Sequence, residues 1–412
     1  MKRGKKKRAG IVILAAVIVL VGAGIFFYYQ TQYYLVLNGE KEVELNLCQT
    51  YEDPGASAKK GGEDVSDQIK VRGTLDLQTP GTYTLVYSIG DLSVERRITV
   101  GTKMDPVLEL EGEEPLQVPL GVEFEEPGFS AEDSNGNDLT DEVKVDRPEL
   151  KRAGKSAITY TVEDHEGNST TVERAVEVLP NTYYETPGLP ICMYHYVYDE
   201  ADPPEDLYSR YGNYIEVHDL EEELQWLVSE DYYFPTWKEV RDYVDGKLLL
   251  PEKSIVLCFD DGAKSFLEVG IPALEKYEVP ATCFMITKGA GEEKVKNYPS
   301  KYVSYQSHSD NMHRAGGFIG HGGIFTAMPE EEALADLKTS IEKCGNSDAF
   351  AYPYGDYTQQ CRDIVEEAGF LCAVTTEGGK AKPGMDPLLL PRVRMSMGQS
   401  LADFQYMVAP QV

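Results

Sequence analysis

The chain has 412 residues, of which 69 are acidic and 39 are Lys or Arg, so that its formal net charge is −30 at pH 7. This length corresponds to about two to four domains, and a hydrophobic fraction of 42% supplies enough apolar residues for packed cores. The negative charge repels polyanions, which argues against a nucleic-acid-binding protein and is compatible with a neutral glycan as the partner.

The N-terminal segment differs in character from the rest of the chain. Six Lys and Arg residues lie within residues 1–10, and residues 11–29 then form an uncharged apolar stretch, ~28 Å long as a helix. This pattern predicts a cytoplasmic basic tail and a transmembrane anchor, with the rest of the chain outside the cytoplasm. A cleaved signal peptide is the alternative, although no clear Ala-x-Ala site follows the apolar stretch. We therefore expect a single-pass protein of the cell membrane with an extracytoplasmic catalytic domain.

Residues 34–180 contain an internal repeat with an offset of about 73 residues. The segment Tyr51-Glu-Asp-Pro-Gly-Ala-Ser-Ala58 returns as Phe124-Glu-Glu-Pro-Gly-Phe-Ser-Ala131. Short alternating strands between Gly, Pro, Asn and Asp turns are typical of a small β-sandwich. We place the two copies at residues 34–103 and 104–180, and they are similar to bacterial immunoglobulin-like surface domains. Neither copy has a catalytic cluster, so we expect a stalk, with a weak glycan-binding module as the alternative.

From residue 185 onward, after a Pro- and Tyr-rich linker, helix and strand patterns alternate. Strands are predicted at residues 254–259, 281–286, 350–352 and 371–375, and helices at residues 219–228, 271–277, 329–343 and 359–368. Such alternation predicts a parallel sheet with crossover helices. Periodicity alone does not decide whether that sheet closes into a barrel.

Two adjacent carboxylates follow the predicted strand at residues 254–259. Asp260 and Asp261 end an apolar run and precede a glycine. A strand inside a sheet holds anions poorly, so we expect both where the strand leaves the core, and catalytic groups collect at such strand ends in α/β barrels. A simple turn is the alternative, since Asp-Asp-Gly is common turn chemistry.

Two histidines follow a second strand-like run. His308 and His313 are five residues apart, after residues 302–307, and the segment Phe350-Ala-Tyr-Pro-Tyr-Gly355 comes later in the chain. Together with the aspartate pair, these motifs favour a metal site over a set of turns.

These motifs resemble those of the polysaccharide deacetylases, which carry the NodB homology domain and form carbohydrate esterase family 4. The segments Leu189–Tyr196 and Leu390–Arg394 also resemble family motifs, in the family's order. The resemblance covers a little over half the chain and implies a distorted (β/α) barrel as the catalytic domain, which we place at residues 185–412. The expected fold class is therefore multidomain, with an N-terminal transmembrane helix, two Ig-like β-sandwiches and a C-terminal α/β barrel.

The resemblance implies that Asp261, His308 and His313 bind a divalent cation. A cation held by two imidazoles and one carboxylate, with open positions, polarises a carbonyl and activates water for amide hydrolysis. We expect Zn²⁺, with Co²⁺, Ni²⁺ and Mn²⁺ as alternatives. Many family members space the two histidines by four residues, and others, chiefly surface-polysaccharide deacetylases, use five as here.

Two further residues are expected to move protons. Asp260 adjoins the ligand carboxylate and is the expected general base. Family members often carry the general acid in a C-terminal Leu-x-x-His segment, which this chain lacks. His195, in Met193-Tyr-His195, is the expected replacement, and a hydrogen-bonded core histidine is the alternative.

The third family motif departs from the common pattern, because Ala351 stands where an arginine usually pairs with the base. Arg392 or Arg394 is expected to supply that cation from another strand. Tyr354 is expected to wall the pocket, with its backbone N–H at the oxyanion. The residues expected to contact substrate are Pro353, Tyr354 and Arg392.

The sequence therefore predicts a metal-dependent de-N-acetylase of an N-acetylhexosamine polymer, either peptidoglycan or a poly-N-acetylglucosamine-type glycan. One alternative is an O-acetyl esterase on xylan-like chains, and another is a non-catalytic surface protein that binds glycan. The oligomeric state stays open.

Overall fold

The computed structural model describes residues 32–410, which belong to two compact units. The first unit ends its main segment at Glu113 and also contains Glu126–Arg147 and Ile158–Arg174. The second contains Glu114–Glu125, Pro148–Ala157 and the chain from Ala175 onward. Most of the repeat region thus lies in the first unit and the entire α/β region in the second.

The prediction of a membrane-spanning helix is corrected. No helix among residues 32–410 is long and apolar enough to cross a membrane. The longest of them has 15 residues, whereas a span needs about 20. The predicted tail at residues 1–10 and the anchor at residues 11–29 lie outside the described residues. The fold class therefore consists of Ig-like sandwiches and an α/β barrel, and the single-pass membrane location is not retained.

The first repeat has two sheets that share an apolar core. The three-stranded sheet has the order β1-β3-β4, and the four-stranded sheet has the order β2-β7-β6-β5. Leu45, Leu85, Tyr87 and Ile98 form the buried centre between them, against partly buried residues such as Leu37 of the smaller sheet. Its strands are β1 (Tyr33–Leu37), β2 (Glu42–Leu47), β3 (Ala56–Lys60), β4 (Glu63–Asp64), β5 (Lys70–Arg72), β6 (Gly81–Ile89) and β7 (Leu92–Met104).

The second repeat also has two sheets. A two-stranded sheet pairs β10 with β8, and a four-stranded sheet has the order β11-β12-β13-β9. Its strands are β8 (Val107–Leu110), β9 (Leu116–Pro119), β10 (Phe129–Glu132), β11 (Lys144–Asp146), β12 (Gly154–Glu163) and β13 (Ser169–Leu179).

Each repeat buries one arginine, a feature that the sequence comparison of the copies did not reveal. Arg96 is fully buried, forms an ion pair with Asp53 and donates to the carbonyl of Glu40 at 2.9 Å. Arg174 is buried in the same way and pairs with Glu126 at 3.4 Å. A buried guanidinium needs several acceptors, and backbone carbonyls supply them in both copies.

Seven parallel strands of the second unit form a closed barrel in the order β14-β17-β18-β19-β20-β21-β22. The last strand pairs with the first, since Cys192 aligns with Val393. The sheet therefore closes, as the family resemblance implied. The strands of this region are β14 (Ile191–Tyr194), β15 (Tyr196–Tyr198), β16 (Tyr214–Glu216), β17 (Val256–Phe259), β18 (Ala281–Met285), β19 (Val303–Ser307), β20 (Ala349–Ala351), β21 (Cys372–Gly378) and β22 (Leu390–Arg394).

Helices lie between most successive strands of the barrel along the chain. The first helix begins at Val217, two residues before the predicted range of 219–228, and the side chain of Glu216 caps it by accepting from the N–H of His218 at 2.8 Å. The helices are α1 (Val217–Ser229), α2 (Trp237–Val244), α3 (Ile271–Tyr277), α4 (Gly291–Asn297), α5 (Glu330–Cys344), α6 (Gln359–Ala368) and α7 (Leu401–Val408).

The apolar run of β17 is explained by burial on both faces. Val256 and Cys258 join one apolar cluster with Phe284, whereas Leu257 and Phe259 join another that includes three leucines of α1. Strands of a closed parallel sheet have no solvent face, so they carry continuous rather than alternating apolar residues. The first polar residues after such a strand mark its exit from the core.

Candidate metal centre and active site

The predicted site residues meet at the carboxyl-terminal ends of the barrel strands. Asp260 and Asp261 follow β17, His308 follows β19, and His195 follows β14. Parallel strands bring these ends to one rim of the barrel although the residues are far apart in sequence. A cavity of about 880 Å³ opens there, and all four residues line it.

Asp261, His308 and His313 form a compact donor cluster. Nε2 of His308 lies 3.6 Å and Nε2 of His313 lies 3.5 Å from Oδ1 of Asp261. One ligand atom from each lies within 4.8 Å of the others. Two imidazoles and a carboxylate at this separation fit a divalent cation with open positions.

The surroundings of these histidines suit metal binding. Nδ1 of His308 donates to the carbonyl of Ala351 at 2.7 Å, which leaves Nε2 for a cation. Burial and the adjacent His308 lower the pKa of His313 to about 4, so its imidazole is neutral near pH 7, the form that binds metals. The donor set therefore fits the group that the family resemblance implies.

The loop between the two histidines is held by hydrogen bonds to helix α5. The carboxylate of Asp336 on α5 accepts from the N–H groups of Asp310 at 2.7 Å and Asn311 at 2.8 Å. Ser309 adopts a positive φ of 72°, which turns the chain sharply after the first ligand. The five-residue spacing thus belongs to a braced loop rather than to a helix face.

Asp260 is buried and doubly paired. Both of its carboxylate oxygens accept from the guanidinium of Arg392 at 2.8 Å, and Nε of Arg392 donates to the carbonyl of Thr375 at 2.7 Å. Burial alone would raise the pKa of Asp260, but Arg392 outweighs it and holds that pKa well below its usual range. Asp260 is therefore ionised at any pH near neutrality.

This pairing decides between the two candidate arginines. Arg392 takes the place of the missing motif arginine, whereas Arg394 bonds to the Asn213 side chain at 2.5 Å. Arg392 is 1% exposed, so it reaches a substrate only through Asp260, which revises the expectation that it contacts substrate directly. Pro353 is buried as well, and its neighbours Tyr352 and Tyr354 line the cavity instead.

His195 lies in the cavity wall with Nδ1 buried and without a hydrogen-bond partner among the described residues. Burial lowers its pKa, an effect that Asp260 and Asp261 oppose and that Arg392 and Arg394 reinforce. The alternative of a hydrogen-bonded core histidine therefore has no support from a bond at Nδ1 among the described residues.

Tyr354 packs against a predicted ligand, since its ring centroid lies 4.3 Å from that of His313. Its φ is 62°, and Asp261 has a φ of 71°. Positive φ is unfavourable for residues other than glycine, and such strain gathers at functional sites. Among the six described non-glycine residues with positive φ, three lie at this site: Asp261, Ser309 and Tyr354.

Sequence analysis did not single out Tyr196, which contacts the donor cluster directly. Its hydroxyl donates to Oδ2 of Asp261 at 2.8 Å and accepts from Arg210 at 2.9 Å. Arg210 in turn pairs with Asp206 at 3.2 Å. This series of side-chain bonds orients the carboxylate of Asp261, which faces both histidines. The tyrosine adjoins His195 in sequence, which is the one signal that could have found it.

Another residue without a predicted role is His321. Its Nδ1 lies 3.2 Å from Oδ1 of Asp356, and its ring is exposed at the cavity. It does not belong to the donor cluster that the described residues form.

Residues 248–373 match the polysaccharide deacetylase family, and residues 35–100 and 108–178 each match the bacterial surface protein Ig-like domain. The chain carries a polysaccharide deacetylase domain. The two Ig-like matches agree with the two repeats. The deacetylase match includes the aspartate pair, the two histidines of the donor cluster and Tyr354, whereas His195 and Arg392 lie beyond its ends.

Relatives of this chain include YxkH of Bacillus subtilis, described as a putative polysaccharide deacetylase and 28% identical over 226 residues, which cover 52% of this chain and 74% of that protein. A poly-β-1,6-N-acetyl-D-glucosamine N-deacetylase of Staphylococcus aureus is 27% identical over 196 residues, 43% of this chain and 66% of that protein. The solved structure of Streptococcus pyogenes deacetylase PplD in complex with acetate is 24% identical with a TM-score of 0.47. It covers 54% of this chain and 99% of that one.

If the donor cluster binds Zn²⁺ as the resemblance implies, replacing Tyr196 by phenylalanine is expected to weaken that binding about 10–100-fold, the usual effect of losing a group that orients a ligand. The ring and its packing against Tyr214 remain, so the fold should persist. Competition with a chelator measures the affinity, and Tyr208→Phe, at an exposed tyrosine in the segment between β15 and β16, is the matched control. Equal Zn²⁺ affinity in Tyr196→Phe and the unaltered protein would show that the hydroxyl does not orient Asp261.

Proposed function

We propose that this deacetylase removes N-acetyl groups from an N-acetylhexosamine polymer by metal-dependent hydrolysis and releases acetate. The observation that carries the proposal is the cluster of Asp261, His308 and His313 beside the ionised Asp260 in one open cavity. The naming of a relative as a poly-β-1,6-N-acetyl-D-glucosamine N-deacetylase supports this substrate class. A purely glycan-binding protein would not need that donor cluster.

Asp261, His308 and His313 would hold the cation, and we propose Zn²⁺ because its preferred ligands are imidazole and carboxylate in open three-ligand sites. A bound cation would polarise the acetamide carbonyl and make the attacking water more acidic.

Asp260 accepts a proton from that water while the oxygen of the water attacks the carbonyl carbon. Arg392 keeps the carboxylate ionised and fixes both of its oxygens. The same pairing makes Asp260 a weak base, so its role depends on a water that is already acidified.

The oxyanion of the tetrahedral intermediate then needs a donor. Tyr354 lies beside His313 at the cavity, in a tight turn over residues 353–355. We assign its backbone N–H to this oxyanion, and its ring forms part of the wall around the acetyl group.

Collapse of the intermediate breaks the C–N bond and requires a proton on the nitrogen. His195 lines the same cavity as Asp260 and has no competing hydrogen-bond partner at Nδ1 among the described residues. We assign it the role of general acid, which gives the proton to the departing amine.

The function is tested by acetate release from penta-N-acetylglucosamine, with free amines on the product counted separately. The unaltered protein with Zn²⁺ is expected to release acetate and expose one amine for each acetate, whereas Asp260→Asn should lower the rate by ~10²–10⁴-fold. Acetate from O-acetylated xylan alone would identify an esterase instead. Binding of the pentamer without any acetate release would identify a glycan-binding protein.

A further inference from the structure

A loop at the cavity rim presents an almost fully exposed aromatic side chain. Residues 314–324 form this rim loop, and Phe318 at its tip is 97% exposed, with the adjacent Ile319 at 47%. A ring left in water gains nothing for folding, since apolar burial is what stabilises the chain. Single exposed apolar residues are common, so its meaning depends on how the loop is held and where it lies.

The rim loop is held by its own hydrogen bonds. The N–H groups of Gly316 and Gly317 donate to the carbonyl of Gly322 at 3.0 and 2.9 Å, and Gly322 donates back to Ile319 at 2.9 Å. The chain approaches the barrel so closely that a Cβ at Gly320 would collide with the Asp356 carboxylate. The aromatic tip is therefore presented by a fixed turn.

Asp356 ties this loop to the catalytic rim. Its buried carboxylate accepts from the backbone N–H of His321 at 2.8 Å and of Gly323 at 2.9 Å. Nδ1 of His321 lies 3.2 Å from the same carboxylate, which leaves Nε2 of this exposed imidazole for a ligand. Asp356 itself follows the turn that carries Tyr354, so the loop and the proposed oxyanion site share one support.

The aromatic tip lies close to the cavity. His321 lines it, and Phe318 is three residues away, which places the two Cα atoms within about 11 Å. The cavity volume of about 880 Å³ is near the upper end for small-ligand sites, more than one acetamido group needs. When one sugar unit of a polymer lies in this cavity, the neighbouring units extend beyond the cavity rim.

We propose that Phe318 and His321 form an outer sugar subsite of the deacetylase, which holds a ring of the glycan beyond the unit that is deacetylated. A hexose ring has an apolar C–H face and a polar edge of hydroxyl groups. Phe318 stacks on the face, and Nε2 of His321 accepts a hydrogen bond from a hydroxyl. This inference rests on the proposed function, and it adds the recognition of a polymer to that function.

A lipid surface is the competing partner for an exposed aromatic tip. Membrane-bound segments combine several apolar residues with Lys and Arg that meet anionic headgroups. The tip offers two apolar residues, and the chain has a net charge of −30, which repels such a surface. The observations therefore favour the neutral glycan.

The test compares two substrates in the full chain loaded with Zn²⁺: penta-N-acetylglucosamine and a small activated acetyl ester. In Phe318→Ala, the ratio of kcat/KM for the pentamer to kcat/KM for the ester is expected to fall about tenfold, from the loss of one stacked ring face. Most of the fall should be in KM. Tyr183→Ala removes an equally exposed ring (95%) elsewhere in the second unit and should keep the ratio.

An unchanged ratio in Phe318→Ala would overturn the subsite. If, in addition, Phe318→Ala sediments less with phosphatidylglycerol vesicles than the unaltered protein does, the tip is assigned to lipid binding. Failure of the proposed function has a different signature, because the unaltered protein would then release no acetate from the pentamer while it hydrolyses the ester.

Discussion

Alanine at His308 or His313 is expected to reduce bound Zn²⁺ from one equivalent to background and to abolish acetate release, while the barrel stays folded. Each histidine supplies one of three donor atoms that lie within 4.8 Å of one another. Two remaining donors leave a site too open to compete for the cation. Elemental analysis of the purified protein measures the metal, and circular dichroism monitors the fold.

His218→Ala is the matched control for these variants. This histidine is exposed on α1, 3.6 Å from Glu222, and takes no part in the donor cluster. It should keep both the metal and the activity of the unaltered protein. Stoichiometric Zn²⁺ in the His308→Ala, His313→Ala double variant would disprove the ligand assignment.

Removal of His195 is expected to discriminate between leaving groups. An amine leaves only with a proton, whereas an activated ester leaves without one, so His195→Ala should lower amide turnover by ~10²–10⁴-fold and ester turnover far less. Asp260→Asn should impair both substrates, because each needs the attacking water to lose a proton. Equal losses on the two substrates in His195→Ala would reject the acid role.

The pH dependence provides a second readout of His195. The acid must be protonated, so amide hydrolysis is lost as pH rises through the pKa of His195. Burial lowers that pKa, Asp260 and Asp261 oppose the shift, and Arg392 and Arg394 add to it. The descending limb of kcat/KM should therefore begin below about pH 6.5, where an unperturbed histidine titrates. That limb should disappear in His195→Ala and be weak with the activated ester.

The sequence predicted that Asp261, His308 and His313 lie together, and the structure places them so, because barrel topology makes distance along the chain unimportant. Asp261 and His308 are widely separated, yet each directly follows a parallel strand, and such strands end at one rim. Apolar runs that end in polar residues are visible in any sequence. Closure of the barrel was implied only by the family resemblance, since it depends on pairing between β22 and β14, the two barrel strands farthest apart in the chain.

The choice between Arg392 and Arg394 was beyond sequence reasoning for a geometric reason. Residues two apart on a strand face the same side, so periodicity treats both arginines alike. Burial and bonding separate them, because Arg392 is buried and its guanidinium donates to Asp260, whereas Arg394 is exposed and bonds to Asn213. Tyr196 was missed for a similar reason, since its bond to Asp261 depends on where a loop returns.

The three positive-φ residues at the site have a consequence for protein engineering. Asp261, Ser309 and Tyr354 each carry a backbone strain of ~1–3 kcal/mol that glycine would relieve. A redesign that optimises stability without knowledge of function would therefore place glycine at all three positions. The product would be a more heat-resistant barrel without the carboxylate of the donor cluster, the serine that turns the loop and the tyrosine ring beside His313. A stability redesign of this protein should therefore keep Asp261, Ser309 and Tyr354 unchanged, although their backbone conformations are strained.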